Sequence, residues 1–311
     1  MHSEDLLAAI RQGEIRAAAR LMRLLDDRAP SARPILAELL KDAGQAFILG
    51  ITGNPGSGKS TLVNQMIHHF RALDLSVGCI AIDPTSPFSG GAILGDRVRM
   101  QDHAADPQVF IRSVATRGNL GGLSRSTPAM VQVMDAMGFD IVIVETVGVG
   151  QDEIEIVRLA DTSIVVLVPG LGDDIQADKA GLMEIADIFV LNKSDLPGSK
   201  RLRRQIKTML SLSKQSGSHG DHTPPIQPTR AHTGEGTDEL LELIEASREA
   251  LEYGPDRRRR QCSHLIRAIA RTEWEYRFQS QVDAPGFTTL VDRVTDGQLD
   301  PYSAADQLLG D

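Results

Sequence analysis

The stretch Gly53-Asn54-Pro55-Gly56-Ser57-Gly58-Lys59-Ser60, followed by Thr61, has the residue types and spacing to hold a polyphosphate. It fits G-x-x-x-x-G-K-S, in which glycines let the backbone curl and turn its N–H groups inward. A helix that starts at the end of such a loop adds the positive end of its dipole. Lys59 is placed to reach the β- and γ-phosphates, and the Ser60 hydroxyl to ligate Mg²⁺. The loop needs a strand in front and a helix behind. Ala46-Phe47-Ile48-Leu49-Gly50-Ile51 is an apolar run suited to a buried strand, and Leu62, Val63, Met66, Ile67 and Phe70 follow at helical spacing.

Two further patterns complete a nucleotide site. Ile141–Val144 is an apolar strand that ends in Glu145-Thr146-Val147-Gly148, the Walker B order of a buried strand followed by an acid. Glu145 stands where Asp is more usual and would hold Mg²⁺ through water, and a backbone N–H of the turn at Gly148 would sense the γ-phosphate. Ile188-Phe189-Val190-Leu191 runs into Asn192-Lys193-Ser194-Asp195, the N-K-x-D pattern of guanine recognition. A carboxylate at Asp195 can accept from guanine N1–H and the 2-amino group. Adenine offers neither donor and would leave that acid unpaired, so the site discriminates. The Lys193 stem is expected along the purine face, with Asn192 tying the loops together. A last strand near 225–229 leads to Arg230-Ala231, where a main-chain N–H is expected at the guanine oxygen. Between the first two patterns lie Asp83 and Asp96. On residue logic alone they are equally Mg²⁺ neighbours or a turn acid and a helix N-cap.

The elements that must position these groups alternate. Strands are expected at 46–52, 77–82, 109–114, 140–145, 163–168, 188–192 and 225–229, with helices at 59–73, 125–137, 178–186, 199–212 and 237–251. The strands are short, β-branched and apolar throughout, as strands buried on both faces are. The fold class is therefore α/β: a P-loop NTPase with a doubly wound, mostly parallel sheet whose ligand sits beyond the strand ends. Three domains follow: a helical N-terminal extension at 1–45, a nucleotide-binding domain at 46–255 and a C-terminal helical segment at 256–311. The 311 residues carry 41% hydrophobic, 24% charged and only 4% aromatic residues, so the core is aliphatic. A net charge of −9 argues against nucleic acid and against membrane surfaces as partners, and four arginines at 257–260 fit a solvated face or interface rim. Cys79 and Cys262 form no metal-type pair, and His219 and His222 fit a solvated Gly/Ser-rich loop. With no signal-like start and no spanning apolar run, a cytoplasmic protein is expected.

Several segments are more specific than these motifs. They are Asp83-Pro84-Thr85-Ser86, Gly90-Gly91-Ala92-Ile93-Leu94-Gly95-Asp96, Thr116-Arg117-Gly118-Asn119-Leu120-Gly121-Gly122-Leu123, Val144 through Gln151, Pro169 through Gln176 and Leu299-Asp300-Pro301-Tyr302. On them the chain resembles the methylmalonyl-CoA-mutase-associated GTPases of the MeaB/ArgK type. That resemblance implies a G-protein chaperone that binds an adenosylcobalamin-dependent acyl-CoA mutase and couples GTP hydrolysis to GDP to cofactor loading and protection. It places Asp83, Asp96 and Glu145 around Mg²⁺, gives Gln176 and Lys179 a switch role toward the mutase, and implies a homodimer joined through the C-terminal helices. Asp178-Lys179-Ala180 departs from the usual Ile-Lys-Lys, and Arg230 stands where a serine is usual. Lys59, Glu145 and Asp96 are the expected catalytic set. Val149 occupies the position where small GTPases carry a water-orienting Gln, so slow intrinsic turnover is expected. The rival readings are a nucleotide-dependent kinase, against which Asn192–Asp195 speaks, and a metal-insertion GTPase, for which a His-rich tract or Cys-x-x-Cys pair would be needed.

Overall fold

The computed structural model describes residues 3–83, 101–103, 105–115, 126–146, 159–170, 186–215, 223–251 and 255–310. Expectations for Asp96, Gly148, Gln176, Asp178, Lys179, His219 and His222, and the helix expected at 178–186, fall outside those residues. Three helices open the chain, α1 (Ser3–Arg11), α2 (Ile15–Asp26) and α3 (Ala32–Leu39). Strand and helix then alternate: β1 (Phe47–Gly53), α4 (Lys59–Ala72), β2 (Val77–Asp83), β3 (Val109–Ala115), α5 (Thr127–Ala136), β4 (Ile141–Glu145), β5 (Thr162–Leu167), β6 (Ile188–Leu191), α6 (Ser199–Gln215), β7 (Ile226–Pro228) and α7 (Thr237–Glu249). The seven strands form one sheet in the order β3-β2-β4-β1-β5-β6-β7, and every pairing is parallel. Strand β1 is central. Its register sets Ile51 opposite Glu145 on one side and Gly53 opposite Val166 on the other, so loop and acid emerge at the same end.

Side chains one residue apart on a strand enter opposite cores. Phe47, Leu49 and Ile51 of β1 join Leu62, Val63, Met66 and Phe70 of α4 and Leu240 and Ile244 of α7. Ile48, with Ile80, Val142 and Val144, joins the other face, whose cover comes from α5 and from Leu6, Ile10, Leu21, Met22 and Leu39 of the N-terminal helices. The N-terminal segment therefore closes one face of the sheet. Asp135 fixes the entry to β1. Its carboxylate is buried and accepts from the N–H groups of Gln45 at 3.0 Å and Ala46 at 2.9 Å, and from that of Gly44. At the far side, Leu202, Ile206 and Leu210 of α6 cover Val165, Leu167, Phe189 and Leu191.

The chain divides into two compact units, Met1–Arg258 and Arg259–Asp311. The last three helices are α8 (Pro255–Val282), α9 (Pro285–Thr295) and α10 (Pro301–Leu309). Asp300 caps α10, accepting from Tyr302 N–H at 2.9 Å and Ser303 N–H at 3.0 Å. Trp274 and Phe278 stack on one another along α8 with ring centroids 5.7 Å apart, and both are exposed, as are Ile266, Ile269 and Tyr276. Neither α9 nor α10 buries a residue fully. Among the described residues no helix is long and apolar enough to cross a membrane.

Candidate active site

Helix α4 starts on Gly58, which is left-handed at φ +92°. A Cβ there would lie 2.3 Å from Asn192 Nδ2, so only glycine lets the loop and the Asn192 side chain meet. The loop folds over Lys59, which is buried and donates from Nζ to Gly53 O at 2.6 Å and Asn54 O at 3.2 Å. Its ammonium is thus fixed inside the curl of residues 53–58, under the N–H groups suited to an anion. Thr61, in the first turn of α4, is exposed.

Ser60 and Glu145 meet although 85 residues separate them. The Ser60 hydroxyl donates to Glu145 Oε1 at 2.8 Å, and both side chains are buried. The parallel register of β1 and β4 brings the acid to the first turn of α4. Beneath the pair, Thr146 Oγ1 donates to Thr52 Oγ1 at 2.9 Å and Thr146 N–H to Ile51 O at 3.0 Å, which fixes where the chain leaves β4. A hydroxyl beside a carboxylate at the mouth of a phosphate-binding loop is a hard-oxygen donor set, and it fits Mg²⁺. The described residues hold no cluster of three His, Cys, Asp or Glu side chains that could bind a metal without a ligand's help. Asp83 ends β2 beside β4, in register with Ala115 of β3.

Asn192 is the hub of the second half. It is buried, and its Nδ2 donates to Ser57 O at 2.7 Å. Its Oδ1 accepts from Thr229 Oγ1 at 3.1 Å and from Ala231 N–H at 3.0 Å. One amide thereby joins the phosphate loop, the end of β6 and the loop after β7. The Ala231 N–H expected at the guanine oxygen donates to Asn192 in this structure. Lys193 takes a left-handed φ of +52° and its Nζ spans to Gly56 O at 2.9 Å, so its stem bridges the two loops. Asp195, three residues beyond Asn192, is exposed. Arg230 lies beside it, with Nε 3.7 Å from Asp195 Oδ1.

The structure therefore brings residues 53–61, Glu145, Asn192, Lys193, Asp195, Arg230 and Ala231 to one end of the sheet. Thr52, Thr146 and Thr229 join them as hydroxyl supports that the motifs do not reveal. Their only signal in the sequence is a polar residue at the end of an apolar strand.

The chain is similar to known proteins in sequence and in fold. The family model described as methylmalonyl Co-A mutase-associated GTPase MeaB matches residues 18–283. A protein of Pyrococcus abyssi with a provisional GTPase name is 45% identical over 309 residues, spanning 98% of this chain and 95% of its own. The methylmalonic aciduria type A homolog of Mus musculus is 32% identical over 271 residues, spanning 85% of this chain and 65% of its own. A crystal structure described as a LAO/AO transport system kinase superposes with a TM-score of 0.69 at 25% identity, over 98% of this chain and 96% of its own.

Proposed function

Because the chain belongs to the family of methylmalonyl-CoA-mutase-associated GTPases, we propose that it is a GTP-driven chaperone for an adenosylcobalamin-dependent acyl-CoA mutase. The chain is a guanine-nucleotide-binding GTPase of the P-loop class. What it does with hydrolysis is the proposal: nucleotide state gates cofactor loading into the mutase and protects the loaded enzyme.

The observation that carries the site is the convergence of Ser60, Glu145 and Asn192 on one loop. Residues 53–58 would bind the phosphates through main-chain N–H groups, and Lys59 would neutralise charge as the β–γ bond breaks. Ser60 and Glu145 are the residues that would hold Mg²⁺, with Asp83 and Asp96 beside them, and a bound Mg²⁺ supplies further charge neutralisation at the phosphates. Asp195 would accept from guanine N1–H and the 2-amino group, with Lys193 along the purine and Arg230 and Ala231 bordering the base. Gly148 would respond to the γ-phosphate. Gln176, Asp178 and Lys179 would pass the nucleotide state to the mutase. Phosphoryl transfer to water needs positioning above all, so with Val149 where small GTPases often carry a water-orienting Gln, intrinsic turnover would be slow and a bound partner would accelerate it.

The exposed Ile266, Ile269, Trp274 and Phe278 of α8 support a homodimer formed through the C-terminal helices, since so much apolar surface on one helix calls for cover. GTP turnover with and without a candidate cobalamin-dependent mutase, read together with co-purification, tests the chaperone role. Acceleration with complex formation is expected. A rate indifferent to every such mutase would overturn it.

A further inference from the structure

The turn after β7 presents a charged side chain to Asp195 from a fixed backbone. Arg230 N–H donates to Glu235 O at 2.8 Å, and Arg230 O accepts from Thr233 N–H at 2.9 Å and Gly234 N–H at 3.0 Å. Gly236 closes the turn at φ +75°, where a Cβ would lie 2.1 Å from Pro228 O, so no other residue fits. The Gln227 amide then bridges Pro228 O and Gly236 O at 3.1 Å each. On its other flank, Asn192 holds Thr229 and Ala231. The backbone of Arg230 is pinned on both sides.

Its guanidinium is pinned as well. Nη1 pairs with Glu235 Oε2 at 2.7 Å. Nε is buried without a hydrogen-bond acceptor among the described residues and stands 3.7 Å from Asp195 Oδ1. That separation is an ion pair and too long for a hydrogen bond. A carboxylate offers about four lone-pair sites on its two oxygens, so a neighbouring guanidinium lends its charge and still leaves acceptors for the two guanine donors. Glu235 holds the outer nitrogen of Arg230 on the side away from that contact.

We propose that Arg230 is a positioning residue for guanine selection: anchored by Glu235, it steadies the Asp195 carboxylate without consuming its acceptors. The inference rests on the reading of Asp195 as the guanine-reading group. Its role is distinct from that of Asn192, which shapes the loops and does not face the carboxylate.

The test compares equilibrium affinities for GDP and for inosine diphosphate, which lacks the 2-amino group. Both are measured on the wild-type chain and on Arg230→Met, Arg230→Lys and Glu235→Gln, with thermal melts to report the fold. Arg230→Met is expected to bind GDP about tenfold more weakly and to lose about threefold or more of its GDP-over-inosine preference, as for a charge-assisted contact. Arg230→Lys restores charge without the fork and falls between the two. Glu235→Gln removes the charge that anchors the guanidinium, so Arg230 steadies Asp195 less well, GDP affinity drops there too, and that drop vanishes in the Arg230→Met background. An unchanged preference in a folded Arg230→Met makes Arg230 a turn residue only and overturns the proposal. Tighter GDP binding overturns it in the other direction, as a competitor of the base. If Arg230→Met does not fold, an unchanged preference in Glu235→Gln overturns it equally. A wild-type chain that prefers ADP to GDP would instead refute the reading of Asp195, before Arg230 comes into question.

Discussion

The contact between Gly58 and Asn192 gives a prediction with a calculable size. In Gly58→Ala the new Cβ would lie 2.3 Å from Asn192 Nδ2, at a φ of +92°. An alanine in the left-handed region costs roughly 1–2 kcal/mol. The Asn192 amide must also move, and its 2.7 Å bond to the buried Ser57 carbonyl breaks. Leaving that carbonyl unpaired costs about 1–3 kcal/mol more. The loop must hold this shape to bind phosphate, so GDP affinity is expected to fall about 30-fold or more, at 1.4 kcal/mol per decade. In an Asn192→Ala background the alanine meets no amide, and only the backbone strain remains. A double-mutant cycle read by GDP titration and by urea unfolding should therefore show a coupling of about 1–3 kcal/mol. Effects that add to within about 0.5 kcal/mol would refute the reasoning, because the two residues would then be independent.

Lys59→Ala should lower GTP hydrolysis at least about a hundredfold, as loss of a preorganised charge does; phosphate-release assays check it, and wild-type turnover would contradict the loop assignment. Glu145→Gln should raise the Mg²⁺ concentration for half-maximal turnover about 10- to 100-fold, measured by Mg²⁺ titration of the rate. Stability should decline with acid through His103. It is buried, its ring lies tilted against that of His68 with centroids 4.3 Å apart, and burial, then His68, hold its pKa below 6.5, while Asp102, the Asn64 backbone and Asp106 oppose that shift. A histidine that is harder to protonate when folded binds more protons unfolded. Its penalty grows as pH falls below 6.5, so urea midpoints should drop as acid is added below that pH and His103→Gln should flatten that slope. Trp274→Ala, on the exposed face of α8, should shift a dimer toward monomer in analytical ultracentrifugation without loss of GTP turnover.

Much of this was legible because the sheet is parallel. Strands buried on both faces must be apolar at every position, and Ile141–Val144 and Ile188–Leu191 announce themselves that way. Strand ends were displaced by a residue where neighbours set them. The strand expected at 163–168 is Thr162–Leu167, with Asp161 N–H bonded to Ile48 O at 2.7 Å, and the one expected at 46–52 runs to Gly53 because that residue pairs with Val166. The phosphate and guanine motifs are local in sequence, so their identity could be read directly. Their coupling could not. Asn192 reaches Ser57, Thr229 and Ala231 only because strand order folds three distant segments together. The amphipathic stripes of α1–α3 say which side chains are buried and leave open that they cover Ile48 and Val142. The pairing of Arg230 with Glu235 needs a reverse turn whose closure depends on Gly236, and spacing alone does not disclose it.

Competition binding of labelled GTP against ATP and XTP, on the wild-type chain and on Asp195→Asn, tests the base reading most directly. Wild type should retain GTP and ignore ATP, and Asp195→Asn should turn from guanine toward xanthine, whose N1–H and 2-oxo group match an amide in that place. An Asp195→Asn chain with the wild-type ratio of GTP to XTP would show that some other group selects the base.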